Sequence, residues 1–308
     1  MKKKVLNIGL IIPAIAVIFN CSDTDFTKDG TIVLSDTHEY GPKWSPEGNF
    51  VLFYGSKFLE TAGDGDGKVF VDYPWAIFAI DVSGMEPIPI YSSDKGDKSP
   101  DWYIGEDSII FSSWKLIQAR NRLYAYSLYE EEPYRLTDTE GPYDENYPVY
   151  SPISDEIAFS ANYNGGFDIW GLKPGEEPGI IISTPGYDTY PEWSPDGKEL
   201  LFTSDYDGSW DIWKTNYNGG KVINLTDSES NDLYSSWNAA NNLIAFASDR
   251  SGNWDIWVME PDGTGLTRVT SGPANETAPT WSPDGLKIAY QTDKYGTWDI
   301  SILEFIGQ

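Results

Sequence analysis

One cysteine, one histidine and 21 basic residues in a chain of 308 narrow what this protein can be. The lone Cys21 can form neither an intramolecular disulfide framework nor a Cys-cluster zinc site. The lone His38 cannot supply a multi-histidine metal centre, and any Ser/His/Asp triad would have to be built on it. Basic residues are outnumbered by 48 Asp and Glu, which leaves a formal net charge of −27. Such a field repels phosphate backbones, so no nucleic-acid partner is expected. Long apolar runs are also scarce. The one from Val5 to Phe19 is shorter than the roughly 20 residues a spanning helix needs. Aromatic residues, by contrast, are abundant at 15%, with 13 Trp and 20 Tyr. A 40% hydrophobic content is too high for a disordered acidic chain.

The first 20 residues read as an export signal. Lys2, Lys3 and Lys4 form a positive start, and the apolar run follows at once. Cys21 comes directly after. An apolar segment ending at a lone cysteine resembles the bacterial lipoprotein signal, in which that cysteine is lipidated and becomes the mature N-terminus. Ile18-Phe19-Asn20 departs from the usual Leu-small-small pattern, and the alternative is an ordinary secretory peptide with an incidental cysteine. The expected organisation is a signal over 1–20, a tether over 21–30 and one folded unit over 31–308. The protein is then exported and held to the cell envelope by a lipid on Cys21.

The folded part repeats itself. Pro279-Thr-Trp281-Ser-Pro283-Asp-Gly285 echoes Pro191-Glu-Trp193-Ser-Pro195-Asp-Gly197 and Pro42-Lys-Trp44-Ser-Pro46-Glu-Gly48. Weaker copies centre on Trp102, Tyr150 and Trp237. These six anchors are spaced by 58, 48, 43, 44 and 44 residues, and a period of about 44 is that of a four-stranded propeller blade. Each unit alternates short β-rich runs with Gly, Pro and Asp turns, and no sustained helical stripe follows residue 20. The class is therefore all-β, a six-bladed β-propeller. Thr31-Ile-Val-Leu-Ser-Asp36 matches segments that precede later anchors, such as Val222–Asp227, and no such segment follows the sixth anchor. The N-terminal strand is thus expected to complete the last blade and close the ring, covering both sheet edges.

The W-S-P-D-G turn, followed 18 residues later by Asp-Ile-Trp (168–170, 211–213, 255–257), resembles the WD-like repeats of the TolB propeller family. The resemblance spans roughly residues 31–305. It implies the propeller fold and, less specifically, contact with a peptidoglycan-associated partner. Blades of this kind also occur in peptidases, lyases and binding proteins. Too few residues separate Cys21 from the first expected strand for the α/β domain that precedes the propeller in TolB, so no role of that domain carries over.

Most repeated residues have structural work to do. The anchor Trp residues are expected to pack between blades. Asp168, Asp211, Asp255 and Asp299 are expected to cap turns, with Ala76 and Arg122 at the matching places in blades one and two. Five residues before every anchor stands an acid: Glu39, Asp97, Glu145, Asp188, Asp232 and Glu276. Two readings are open. The carboxylates cap neighbouring backbone N–H groups, or they ring one mouth of the channel and attract a cation, a basic loop or an amine. Phe167, Trp210, Trp254 and Trp298, just before the third strand, are candidate binding aromatics on the same face. Blade one spaces its anchor and third strand by 32 residues instead of 18, and the insertion contains Gly63-Asp-Gly-Asp-Gly67. That run lacks the later acidic positions of an EF-hand loop, so it is read as an insertion over the channel mouth. No catalytic residue, metal site or cofactor is expected. The leading reading is a membrane-tethered, non-enzymatic module that binds an envelope protein. The alternative is a carbohydrate-binding or polysaccharide-acting propeller.

Overall fold

A computed structural model describes residues 24–26, 31–34 and 38–306, apart from positions 57, 63–67, 73–74, 83–86, 94–95, 106, 116–119, 139, 152 and 218–219. The signal segment, Cys21 and the Gly63–Gly67 run lie outside the described residues. Every regular element among the described residues is a β-strand.

Six antiparallel sheets follow one another along the chain. Their inner strands are His38–Trp44, Asp97–Trp102, Glu145–Ser151, Asp188–Trp193, Asp232–Trp237 and Glu276–Trp281. Each anchor aromatic thus lies at or near the end of an inner strand, and each acid of the sequence pattern lies at or next to its start. The sixth blade takes its fourth strand from the other end of the chain. Thr31–Leu34 pairs with Asp299–Glu304, in the register Thr31 opposite Ser301 and Ile32 opposite Ile300. This is the ring closure expected from the repeat. Residues Thr24–Phe26, within the expected tether, add a fifth strand outside it. The blade-one insertion forms its own hairpin, Phe58–Ala62 paired with Lys68–Asp72.

The core lies between blades. Trp102 packs on Leu52 and Ile77 of blade one, Trp193 on Val149 and Ala158 of blade three, and Trp281 on Ala245 and Val258 of blade five. Trp44 closes the circle against Ala289 and Ile300 of blade six. Indole N–H groups make some of these contacts directional: Trp102 Nε1 donates to the Lys43 carbonyl at 3.2 Å and Trp193 Nε1 to the Val149 carbonyl at 3.3 Å. Nine residues after the anchor, Phe53, Phe111, Phe159, Phe202 and Phe246 fill the second strands and are essentially inaccessible. Each such side chain contributes about 1.5–3 kcal/mol of burial free energy.

The Ser-Pro-Asp-Gly turns hold the first hairpins shut. Ser194 Oγ accepts the N–H groups of Lys198 and Glu199, and Gly197 takes a left-handed φ of 68°. Blade five lacks the glycine, and Asn242 takes the left-handed place with φ 58°.

Removing residues 31–34 would leave the last blade with a naked edge on Asp299–Glu304. The expected result is loss of a single cooperative thermal transition. A truncated chain that still melts cooperatively within a few degrees of the parent would contradict ring closure.

Candidate functional site

The acids and the aromatics, two separate signals in the sequence, meet in the fold as two halves of one junction. The backbone N–H of five of the six acids donates to the carbonyl of the aromatic before the third strand of the preceding blade. These bonds run from Glu39 to Trp298, Asp97 to Trp75, Asp188 to Phe167 and Glu276 to Trp254, each at 2.8 Å, and from Asp232 to Trp210 at 2.6 Å. Trp75 thereby joins the four expected aromatics in the belt.

All six acids are buried, Glu276 being the most exposed at 7%. Their carboxylates turn into the junctions. Asp188 accepts the N–H of Thr184 and its hydroxyl, both at 2.7 Å. Asp97 accepts the Ser93 N–H at 2.7 Å. Glu145 accepts the Leu123 N–H at 3.1 Å and the Tyr163 hydroxyl at 2.7 Å. Asp232 receives Nη2 of Arg250 on both carboxylate oxygens, at 3.0 and 2.8 Å. The Asp-Ile-Trp acids sit alongside. Asp211 accepts from Thr226 Oγ1 at 2.8 Å and from Asn224 Nδ2 at 3.1 Å, and Asp255 pairs with Arg268 at 2.8 Å. In blade two, Arg122 occupies that place and donates to the carbonyls of Asn121, Gly141 and Tyr143.

Bringing carboxylates together in a buried junction favours their protonated forms. Burial pushes Glu276 up to about 7, and the nearby Asp255 and Asp293 add to the shift. Burial raises Asp299 to about 6, against an opposing hydrogen bond with Glu39 at the ring closure. Asp188 is raised by burial as well, with Asp168 adding repulsion.

The channel has a different lining. Three residues before each anchor the backbone turns left-handed: Gly41, Ser99, Tyr147, Tyr190, Tyr234 and Ala278 all have φ between 50° and 59°. Around these residues the pairing with the second strand shifts register, as in blade four between Thr189 and Glu192. Together with Tyr40, Tyr54, Gln291 and the prolines beside them, these six residues line a central cavity of about 150 Å³. None of the six junction acids is among its lining residues.

Tyr147, Tyr190 and Tyr234 come from three consecutive blades and pack together with ring centroids 4.2 and 4.4 Å apart and ring planes tilted by 47° and 58°. Their hydroxyls form a chain, with the Tyr190 oxygen 3.2 Å from that of Tyr147 and 3.4 Å from that of Tyr234. Having one hydrogen, Tyr190 donates to one and accepts from the other. Burial raises Tyr54 and Tyr190 far above the ordinary phenol range, and neighbouring phenols add to this, so both stay neutral. At the outer end of this lining Lys43 Nζ lies 3.1 Å from Glu192. Burial alone would lower the Lys43 amine, but Glu192 and Asp101 outweigh it and hold it above its usual value.

No expected site residue pointed to the three tyrosines. The signal that finds them is the column three before the anchor, which reads Gly, Ser, Tyr, Tyr, Tyr, Ala.

The raised junction acids set a pH dependence. Folded-state values above the unfolded range of about 4 mean that the folded chain holds protons the unfolded chain has released. Stability therefore falls as pH rises from about 4 to 7 and levels off above. Melting temperature is expected to be higher at pH 5 than at pH 8, and Glu276→Gln should flatten that slope and raise the value at pH 8. An unchanged slope in Glu276→Gln would show that this carboxyl is not held protonated.

Comparison with known proteins agrees on the architecture. The TolB beta propeller domain family matches residues 66–248, more than half of the chain. TolB from Acinetobacter baumannii superposes with a TM-score of 0.66 at 25% identity, over 75% of this chain and 57% of that one. A protein assigned as TolB from Agrobacterium tumefaciens gives 0.64 at 21% identity, over 71% of this chain and 81% of that one. Oligogalacturonate lyase from Vibrio parahaemolyticus gives 0.59 at 12% identity, over 92% and 96% respectively; at that identity the likeness is one of fold alone. No curated protein sequence matches significantly. Repeat, ring closure and family match agree, and the chain belongs to the TolB β-propeller domain family.

Proposed function

We propose that this protein is a non-enzymatic binding module, exported and tethered through a lipid on Cys21, that recognises an envelope protein with the channel-mouth face. The observation that carries the reading is the distribution of aromatic side chains on that face. Tyr187, Tyr206 and Tyr295 stand 53%, 49% and 44% exposed on loops beside the half-buried belt of Phe167, Trp210 and Trp298. Large, rigid, amphipathic side chains grouped on one surface are the usual anchors of protein interfaces.

The loops that present them are pinned. Asp205 accepts the Tyr187 N–H at 2.7 Å. Asp249 binds both the backbone and the side-chain amide of Asn231, and Asp293 does the same for Asn275. A preorganised surface loses less conformational entropy when it binds. The acids that could do acid–base work are buried and engaged by protein partners in the junctions. Resemblance to TolB points to a peptidoglycan-associated protein as the partner.

Crosslinked capture from the native envelope tests this, with the protein lacking residues 1–21 as bait. A discrete envelope protein should be captured, and Tyr206→Ser combined with Tyr295→Ser should abolish capture without changing the melting temperature. Undiminished capture by the double variant would overturn the assignment of this face. Recovery of glycan with no protein would overturn the protein-recognition reading.

A further inference from the structure

A left-handed residue is a backbone requirement of this fold, met in all six blades. Glycine meets it without steric penalty, and a bulky L-residue does not. Blade one uses Gly41, and blades two and six use the small Ser99 and Ala278. Blades three, four and five use tyrosine. Folding alone does not call for three phenols at positions where the backbone favours glycine. Strained residues that persist in this way are characteristic of ligand sites.

The three tyrosines are half-buried and line the cavity. They form one wall. Gly41, Ser99 and Ala278 carry only small side chains opposite, where the Tyr54 ring lies over Gly41. Tyr54 approaches Tyr147 and Tyr234 from blade one. A cavity volume of about 150 Å³ is of the size that takes a single six-membered ring.

The lining also constrains the charge of a ligand. Phenols donate and accept hydrogen bonds without carrying charge. The one cation among the lining residues, Lys43, is already committed to Glu192 and Asp101, so it offers little to an anion. Glu192 lines the cavity too, so the paired charges cancel and leave the lining without a net charge to draw an ion of either sign. A pyranose presents both things this wall can use: hydroxyls for the phenol chain, and a C–H face for the tyrosine rings.

We propose that the channel is a binding site for a neutral sugar, held by Tyr147, Tyr190 and Tyr234 with Tyr54 opposite. The site is distinct from the rim and stands whether or not the rim recognises a protein.

The test uses the full-length chain in detergent, titrated calorimetrically at millimolar concentrations of chitotriose, cellotriose and maltotriose. Trigalacturonate is the anionic comparison. At least one neutral trisaccharide should bind, and trigalacturonate should bind more weakly. Tyr190→Gly removes the central phenol while relieving the left-handed backbone. It should weaken sugar binding by about tenfold or more with no fall in melting temperature. Tyr190→Phe, which removes only the hydroxyl, should weaken binding as well and serves if the glycine variant does not fold. The proposal is overturned if no neutral trisaccharide binds the parent, if trigalacturonate binds as tightly, or if Tyr190→Phe binds as the parent does. Tyr206→Ser with Tyr295→Ser should leave sugar affinity unchanged, which separates failure of this site from failure of the protein-binding face.

Discussion

Everything in this ring depends on one left-handed residue in each inner strand. A regular strand alternates its side chains between two faces. With a bulge three residues before the anchor, one short strand serves three directions. Its first acid enters the junction with the preceding blade, its left-handed residue faces the channel, and its anchor aromatic packs between blades. The register shifts that accompany the bulge recur in all six blades. Blade packing and channel lining are therefore set together.

The junctions show what this arrangement costs and how it is offset. Burying a carboxylate is unfavourable unless it is hydrogen-bonded or paired. Asp232 has Arg250, Asp255 has Arg268, and Asp188 has Thr184. Where Glu276 meets Asp255 and Asp293, burial and their repulsion outweigh the nearby Arg268 and favour the protonated carboxyl. At the ring closure burial raises Asp299 as well, while hydrogen bonds with Thr297 and Glu39 oppose the shift. Coupling between blades is thus partly a matter of proton occupancy, alongside the indole and phenylalanine packing that dominates the core.

The architecture was legible because the repeat carries it. Trp-Ser-Pro-Asp-Gly fixes a turn chemically, a 44-residue period counts the blades, and an unmatched Thr31–Asp36 segment identifies the closing strand. The direction of the acids was not legible. Position relative to the anchor places them at a mouth but does not say whether the carboxylates face water or the neighbouring blade. The channel tyrosines were hidden for a related reason. Reading outward from Trp and Asp-Ile-Trp draws attention to the residues that repeat, whereas Tyr147, Tyr190 and Tyr234 matter at a column where the residue type varies. The blade-one insertion shows the same limit: its length was plain, but its hairpin pairing, Phe58 opposite Asp72, depends on neighbours that spacing does not report.

The central claim is that the left-handed backbone belongs to the fold and leaves the side chain there free for function. Ala278 and Ala289 test it within a single blade. Ala278 is left-handed at φ 50° and faces the channel, while Ala289 is fully buried in the second strand. Chemical denaturation of Ala278→Gly should show stability unchanged or raised by up to about 1 kcal/mol, because relief of the left-handed penalty offsets the entropy of the unfolded glycine. Ala289→Gly should lose about 1 kcal/mol. Equal losses at the two positions would contradict the account.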